Sequence, residues 1–563
     1  MIVGGFLLPF FPKRMRSGAF LFFPLYSLFI VWTLPAGIHT IIPFLQYDLV
    51  LASVDKLSRL FGVIFCLTAL TGGIYAFHLN DRGQQGAALV YGGSALGVTF
   101  AGDLLTLFIF WEIMAISSTY LVWARRTVES EKSGMRYLLV HLFGGSALLA
   151  GILLHLQTTG NLVISRLEYN TGLSSILILV GVGLNAAIPP LHAWLSDAYP
   201  RATVTGAVFM SAFTTKSAVY LLARLFPGWE ILTLLGVIMA LYGVVYAVLA
   251  NDIREILAYH IISQVGYMVA GVGIGTELAL NGTAAHAYSH ILYKSLLFMG
   301  AGAVLHTTGK SKLTELGGLA QAMPLTLWLY MIGAFSISGF PLFNGFISKS
   351  MVVSAAGKAH IEWAYLLLTL ASVGTFLHTG LKLPYFTWFG ESRGLQPSAV
   401  PINMHIGMAV VAFFCTMYGV APGLLYGFLP FDVTYEPYTI PHLVEATQIL
   451  LFTFVAFWML RGKLAGEPLI ALDTDWFYRR PAPWSRRLIV ATTDRLFSFV
   501  EEKAMEVALS LSRLARNPFN LFRSSASGPL EDYDPDKERW PLGFFVGAVL
   551  ACIVVIAGSS LFR

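Results

Sequence analysis

Charge is scarce in this chain. Of its 563 residues only 12% are charged, against 56% that are hydrophobic, and the mean hydropathy is +0.69. A soluble protein of this length carries about a quarter charged residues, so the composition excludes an ordinary water-soluble fold. Cysteine is scarcer still. Cys66, Cys415 and Cys552 lie far apart, each in an apolar stretch, and there is no CxxC and no Cys/His cluster. Iron–sulfur, haem c and structural zinc sites therefore find no ligands here, and the three thiols read as small buried hydrophobes. There is also no GxxxxGK[ST] phosphate loop and no dinucleotide fingerprint. The sequence calls for no cofactor and no nucleotide energy source of its own, and nothing in it points to nucleic acid.

What it has instead is apolar length. Runs of roughly 20 residues recur along nearly the whole chain, the length that crosses a bilayer as a helix. The fold class is an all-α polytopic membrane protein with about 14–16 spans, placed near 2–10, 18–36, 57–77, 86–102, 104–124, 135–156, 174–195, 204–225, 229–250, 253–275, 284–306, 323–355, 361–385, 404–427, 444–460 and 541–561. At the start, "MIVGGFLLPFFPKRMR" puts its apolar run before its basic cluster, the reverse of a secretory signal. It reads as a short first span that begins outside. Two spans should be broken: 174–195 by Pro189–Pro190, and 323–355 by "SGFPLFNGF" with Gly339, Pro341 and Gly345. Interrupted spans in separate halves of one membrane chain point to a transporter built from related repeats, with conduction at the breaks. The basic loops 13–16, 125–136, 307–318 and 461–467 fall on one side if the spans alternate, and that side should be cytoplasmic.

An ionisable residue inside a span is a functional hypothesis by default. Glu112 sits deep in "LLTLFIFWEIMAISSTYLVW" and Lys216 in "AVFMSAFTTKSAVYLLARLF". His286, His290 and Lys294 in "HAYSHILYK" are spaced i, i+4, i+8, which puts them on one helix face. Lys349 follows the break in "FNGFISKSMVV". His141, His260, His378 and Lys382 are accessory candidates. A lone buried histidine such as His141 or His260 can simply be hydrogen-bonded to a neighbouring helix, and Lys382 can snorkel to the interface. Glu112 can be a structural ion-pair partner. One acid with several lysines and histidines on successive spans makes a poor ion-pair scaffold and a good proton relay, because burial draws lysine and glutamate pKa values toward neutrality and histidine titrates there already.

The motifs "GDLLTLFIFWE", "PPLHAWLSDAYP", "NDIREILAYHIISQVGYM", "HAYSHILYKSLLFMGAGAVL" and "GFPLFNGFISKS" resemble the proton-conducting antiporter-like subunits shared by respiratory complex I, membrane-bound hydrogenases and Mrp-type cation/proton antiporters. The resemblance covers about 55–425, and "YHIISQVGYMVAGVGIGTELALNG" is most like the D-type subunit of the Mrp-type Na+/H+ antiporters. It implies two inverted five-helix repeats, each with one broken helix. The organisation becomes N-terminal spans 1–85, repeats 86–225 and 226–385, further spans 386–463, a lateral region 464–540 and a terminal span 541–563. By the match, Glu112 is the family's essential acid, Lys216 its central lysine, His286, His290 and Lys294 its His/His/Lys helix, and Lys349 the lysine of its broken twelfth helix. The family usually has a lysine before the "PPLH" turn to tune the acid. Here that position is Asn185, which puts the first half-channel in doubt and leaves Lys294 to Lys349 as the intact path.

The resemblance implies an Mrp-type subunit that exchanges protons for Na+ or K+ in a prokaryotic cytoplasmic (inner) membrane, with other membrane subunits as partners. Three readings remain beside it: the pumping arm of a complex I-like or hydrogenase-like redox complex, a proton-driven membrane subunit in inorganic-carbon accumulation, and a structural subunit that no longer conducts. Beyond the resemblance, about 484–516 reads as an amphipathic helix, with Leu488, Leu496, Val500, Met505, Val507, Leu511 and Leu514 along one side. Such a helix lies in the membrane interface or on other membrane helices, the alternative being a cytoplasmic linker. With the terminal span it resembles, by analogy only, the lateral arm of the largest antiporter-like subunit of complex I.

Overall fold

A computed structural model describes residues 1–169, 172–467, 472–518 and 532–561. Among them, eleven helical stretches are long and apolar enough to cross a membrane. The chain divides into two compact units, Met1–Asp475 and Trp476–Arg563.

The first unit begins with α1 (Ile2–Leu7), α2 (Lys13–Thr33), a hairpin of β1 (Gly37–Phe44) and β2 (Tyr47–Val54), and α3 (Lys56–Tyr75). Then follow α4 (Arg82–Phe100), α5 (Leu104–Trp123), α6 (Val128–Thr159), the pair α7 (Leu173–Asn185) and α8 (Ala193–Ala198), and the pair α9 (Val204–Ala212) and α10 (Thr214–Leu225). A second set runs α11 (Glu230–Leu249), α12 (Ile253–Ile274), α13 (Glu277–Thr308), the pair α14 (Pro324–Ser338) and α15 (Asn344–Lys358), and α16 (Glu362–Thr375). The last of these continues in wider π-type turns to Phe389. The unit closes with α17 (Ile402–Val420) and α18 (Ile440–Leu460).

Local chemistry sets the starts of these helices. Asp55, Asp81, Asp103, Thr127, Asp252 and Thr276 each offer a side-chain oxygen to the free N–H groups of a first turn. Two of these caps expose the internal symmetry. Asp103, between α4 and α5, bridges to Val163 beyond α6, and Asp252, between α11 and α12, bridges to Lys312 beyond α13. With spans alternating, the two bridges lie on opposite membrane faces, and the fourth member of each set is interrupted. That is the arrangement inverted repeats require.

The α7–α8 interruption falls at the prolines, and α14 stops at Gly339, whose φ of +75° takes the chain out of the helix. Gly345 then lets α15 start hard against the Ser336 backbone, where a Cβ would collide. The centre of the unit is α12 and α13. Residues 256–273 and 281–304 are buried without exception, so these helices are surrounded on every side.

Three features depart from the spans expected from the sequence. The stretch 2–10 does not cross. α1 is six residues followed by one 3-10 turn of three, together about 15 Å at 1.5 and 2.0 Å per residue, and Met1 packs beside Gly92 and Gly93, halfway along α4. The chain there enters the bundle rather than starting on the outer face. The stretch 204–225 is not continuous but parts at Phe213. Residues 37–54, left without a span, form the antiparallel hairpin, held by Val50 N–H on the Asp103 carboxylate at 2.7 Å.

In the second unit, α19 (Ala491–Arg516) follows a π-type turn over Arg486–Val490, and α20 (Leu542–Leu561) follows in turn. On α19, Leu496, Val500, Met505, Val507 and Leu511 are exposed. Parts of the expected lateral region, 468–471 and 519–531, lie outside the described residues.

Candidate functional site

The site grows out of two broken helices. Parting at Phe213 frees backbone groups in the middle of the α9–α10 span, where lipid and packed apolar side chains offer no replacement. Three polar side chains replace them. The Tyr199 hydroxyl donates to the Met210 carbonyl at 2.7 Å, and Lys216 Nζ donates to the Ser211 carbonyl at 2.6 Å and to Thr215 Oγ1 at 3.0 Å. On the other lip, the Thr214 N–H donates to the Tyr91 hydroxyl at 3.1 Å, which also bonds Thr214 Oγ1 at 2.6 Å. Lys216 is fully buried. Its ammonium faces the C-terminal end of a half-helix, which carries about half a negative charge.

The second break repeats this chemistry. Lys349, on α15, donates from Nζ to the Ile337 carbonyl at the end of α14 at 2.7 Å and to Ser372 Oγ at 3.2 Å, and lies 5.6 Å from the Tyr267 ring centre. A cavity of about 110 Å³ opens beside it, lined by Ser350, Ser354, Tyr365, Ser372 and Glu445 among others. It is roomy and polar enough to hold water.

Between the breaks runs α13. His286, His290 and Lys294 are all 0% exposed. His286 bonds Ser348 Oγ at 3.2 Å and Tyr293 Oη at 3.5 Å. Neither ring nitrogen of His290 nor Nζ of Lys294 has a hydrogen-bond partner in the described chain. Buried polar groups in native proteins are nearly always paired, so these three atoms stand out. Lys216, Lys294, His286 and Lys349 all lie within electrostatic range of His290. His260, on α12, is in range of Lys294, Lys349, His378 and Lys382, and its ring centre is 5.7 Å from that of His378. Both nitrogens of His260 and of His378 also lack partners in the described chain. His260 is thus not an ordinary hydrogen-bonded core histidine.

Other candidates separate from this row. His141 is a packed core residue. Its Nδ1 meets the Tyr137 carbonyl at 2.8 Å and its ring stacks on Tyr137 at 4.0 Å. Lys382 does not snorkel; it is buried and donates to the Val248 carbonyl at the end of α11 at 2.6 Å. Glu112 is half-buried and packs at Gly145 of α6, and it forms no ion pair among the described residues. Asn185 ends α7, buried, with neither amide atom partnered in the described chain. Oε1 of Glu112 is likewise buried without a partner in the described chain, and neither the acid nor the amide is hydrogen-bonded to a member of the lysine–histidine row.

The sequence did not flag Tyr91, Tyr199, Tyr293, Gln264, Ser348 or Ser372. Gln264 links Tyr293 at 3.4 Å to Thr375 at 3.3 Å, but an amide does not ionise and so escaped the criterion that singled out the lysines. Tyrosines and serines in a span carry no such signal.

A family model described as NADH:quinone oxidoreductase/Mrp antiporter, transmembrane, matches residues 101–377, the stretch that contains both breaks and α13. An uncharacterized protein of Methanocaldococcus jannaschii is 31% identical over 357 residues, 60% of this chain and 74% of that one. The chain belongs to the antiporter-like membrane-subunit family. Other relatives in the family include the D-type Na(+)/H(+) antiporter subunit of Alkalihalophilus pseudofirmus, 32% identical over 55% of this chain and 66% of its own length. The A-type subunit from the same organism is 30% identical over 74% of this chain and 60% of its own length. The chain thus spans between 60% and 74% of these relatives. One component of the Mrp complex from Dietzia sp. DQ12-45-1b shares the fold, with TM-score 0.66, 21% identity, and coverage of 81% of this chain and 96% of that one. One component of the membrane-bound sulfane sulfur reductase, an archaeal respiratory membrane complex, also gives TM-score 0.66, at 25% identity over 80% of this chain and 97% of that one. The fold is therefore shared by components of an Mrp complex and of a respiratory reductase.

Proposed function

We propose that this chain is the proton-translocating subunit of a multi-subunit, Mrp-type cation/proton antiporter in a prokaryotic cytoplasmic membrane, exchanging protons for Na+ or K+. Protons pass along Lys216, His290, Lys294 and Lys349, with His286, His260, His378 and Lys382 alongside. The two repeats, 86–225 and 226–385, each supply a break beside a buried lysine, at Phe213 and between α14 and α15, and neighbouring membrane subunits complete the assembly. The observation that carries this reading is Lys294 with His290: fully buried, in mid-span, and uncommitted to any group in the described chain. A buried ammonium bound to nothing has no structural purpose to repay its cost, whereas a relay needs sites that take and lose a proton readily. The test is proton flux in vesicles that hold the assembled complex. Lys294→Ala should abolish sodium- or potassium-dependent flux without loss of subunits; normal flux from an assembled variant would remove the relay.

The reductase neighbour favours one second reading, the pumping arm of a redox complex. The membrane chemistry would be the same, with electron-carrying groups on other chains.

A further inference from the structure

The "PPLHAWLSDAYP" motif holds a titratable group that the relay does not use. His192 lies in the turns between α7 and α8, is 0% exposed, and leaves Nδ1 without a partner in the described chain. Its Nε2 meets Asp473 Oδ1 at 3.1 Å. That carboxylate comes from beyond α18, 281 positions along the chain and outside the family-matched region 101–377. It is only 8% exposed. It also accepts from the hydroxyls of Tyr242 on α11 at 2.5 Å, Tyr259 on α12 at 2.8 Å and Ser196 on α8 at 3.5 Å. The neighbouring Leu472 carbonyl accepts from the Tyr246 hydroxyl at 2.8 Å. A strap from the chain's later part is thus fastened over the broken span on the face of the basic loops.

Charged groups near the carboxylate are few. Glu255 on α12 is in electrostatic range of Asp473, and itself also of Asp252, Arg201 and Asp197, the last two paired with each other at 2.7 Å. Burial alone would raise the Asp473 carboxyl, but the hydrogen bonds from His192, Tyr242 and Tyr259 and the neighbouring imidazole charge outweigh it and hold it well below the usual carboxylate range. Asp473 therefore stays ionised. It anchors the Nε2–H side of the ring, and which ring nitrogen is free is set by the bond the other one makes.

We propose that His192, oriented by Asp473, is the group that takes up protons from the basic face into the first half of the membrane unit. The proton adds at Nδ1 while Nε2–H stays donated to Asp473; its release inward returns the same neutral ring. His192 carries the proton, and Asp473 is a positioning residue. The arrangement gives the first half a proton carrier of its own. This inference rests on the relay reading above.

The test uses the assembled complex in vesicles, with flux followed against pH on the basic face. His192→Gln keeps an amide donor toward Asp473 but cannot carry a proton; it should lower flux at least tenfold with all subunits present. Asp473→Asn removes a charge that favours a protonated neighbour and should move the half-maximal pH of flux down, while Asp473→Glu restores it. Tyr246→Phe loosens the strap without touching the pair and should leave the profile in place. The double variant His192→Gln/Asp473→Asn should be no worse than His192→Gln alone. Normal flux in His192→Gln overturns the proposal, even where Asp473→Asn fails to assemble. So does a profile that Asp473→Asn leaves unmoved or that Tyr246→Phe moves equally. Wild-type vesicles that show no proton flux would instead sink the relay reading.

Discussion

A lysine ammonium in the middle of a span costs about 2.5–3.5 kcal/mol on insertion scales, and the lysines of this chain meet that cost differently. Lys216 and Lys349 hold carbonyls freed by a helix break, while Lys294 holds nothing in the described chain. Their alanine variants should differ accordingly. Lys294→Ala should lose flux and keep its thermal midpoint. Lys216→Ala should lose both, because the orphaned Ser211 carbonyl costs about 1–3 kcal/mol; differential scanning of the purified complex separates the two. Tyr91→Phe, which strips the Thr214 N–H of its acceptor, should lower the midpoint by a similar amount. Glu112 is bonded to no member of the row in the described chain, so Glu112→Gln should leave flux unchanged, and abolished flux would show that the first half works through it. The charged members of the row were legible because an ion in an apolar run is conspicuous. Their tyrosine and serine partners were not, since those residues are ordinary in a span and only the break gives them a task. His192 was quoted in a motif, but nothing in the sequence joined it to Asp473, which lies outside every span.

At the scale of elements, the long helices were readable from hydropathy and the two proline- or glycine-marked breaks from chain chemistry. The break at Phe213 was not, because "MSAFTTKSA" contains neither residue; it exists because side chains from α4, the turn after α8 and α10 itself hold it open. The hairpin escaped because residues 37–54 were too short and too mixed for a span. The packing of α14 against α15 yields a sharp contrast. Gly345→Ala drives a Cβ into the Ser336 carbonyl, whereas Gly357→Ala on the same helix meets only ordinary contact with the Tyr365 ring. Gly345→Ala should displace Lys349 from Ile337 and cut flux at least tenfold. Gly357→Ala should be neutral, and equal behaviour of the two would mean that the break tolerates widening.

At the scale of the whole molecule, alternation puts the basic stretches 125–136, 307–318 and 461–467 on one face and the hairpin on the other. Single cysteines in a cysteine-free background should be labelled by an impermeant reagent from the cytoplasmic side in 307–318 and from the outer side in the 45–46 turn. Mild extraction on this chain should bring down a colourless set of membrane subunits. Flavin or iron–sulfur absorbance in that preparation would assign the chain to a redox-driven pump.

The way each charge finds its partner has a consequence for how the protein is made. Synthesis runs from the N-terminus, so Tyr91, Tyr199 and Ser211 are already in place when Lys216 emerges from the ribosome. Ile337 likewise precedes Lys349, Val248 precedes Lys382, and His192, Tyr242 and Tyr259 all precede Asp473. For these four charges the acceptor or donor enters the bilayer first. The order of residues along the chain is thus also an order of neutralisation, and the nascent protein need not hold Lys216, Lys349 or Lys382 alone in lipid while it waits for a later helix.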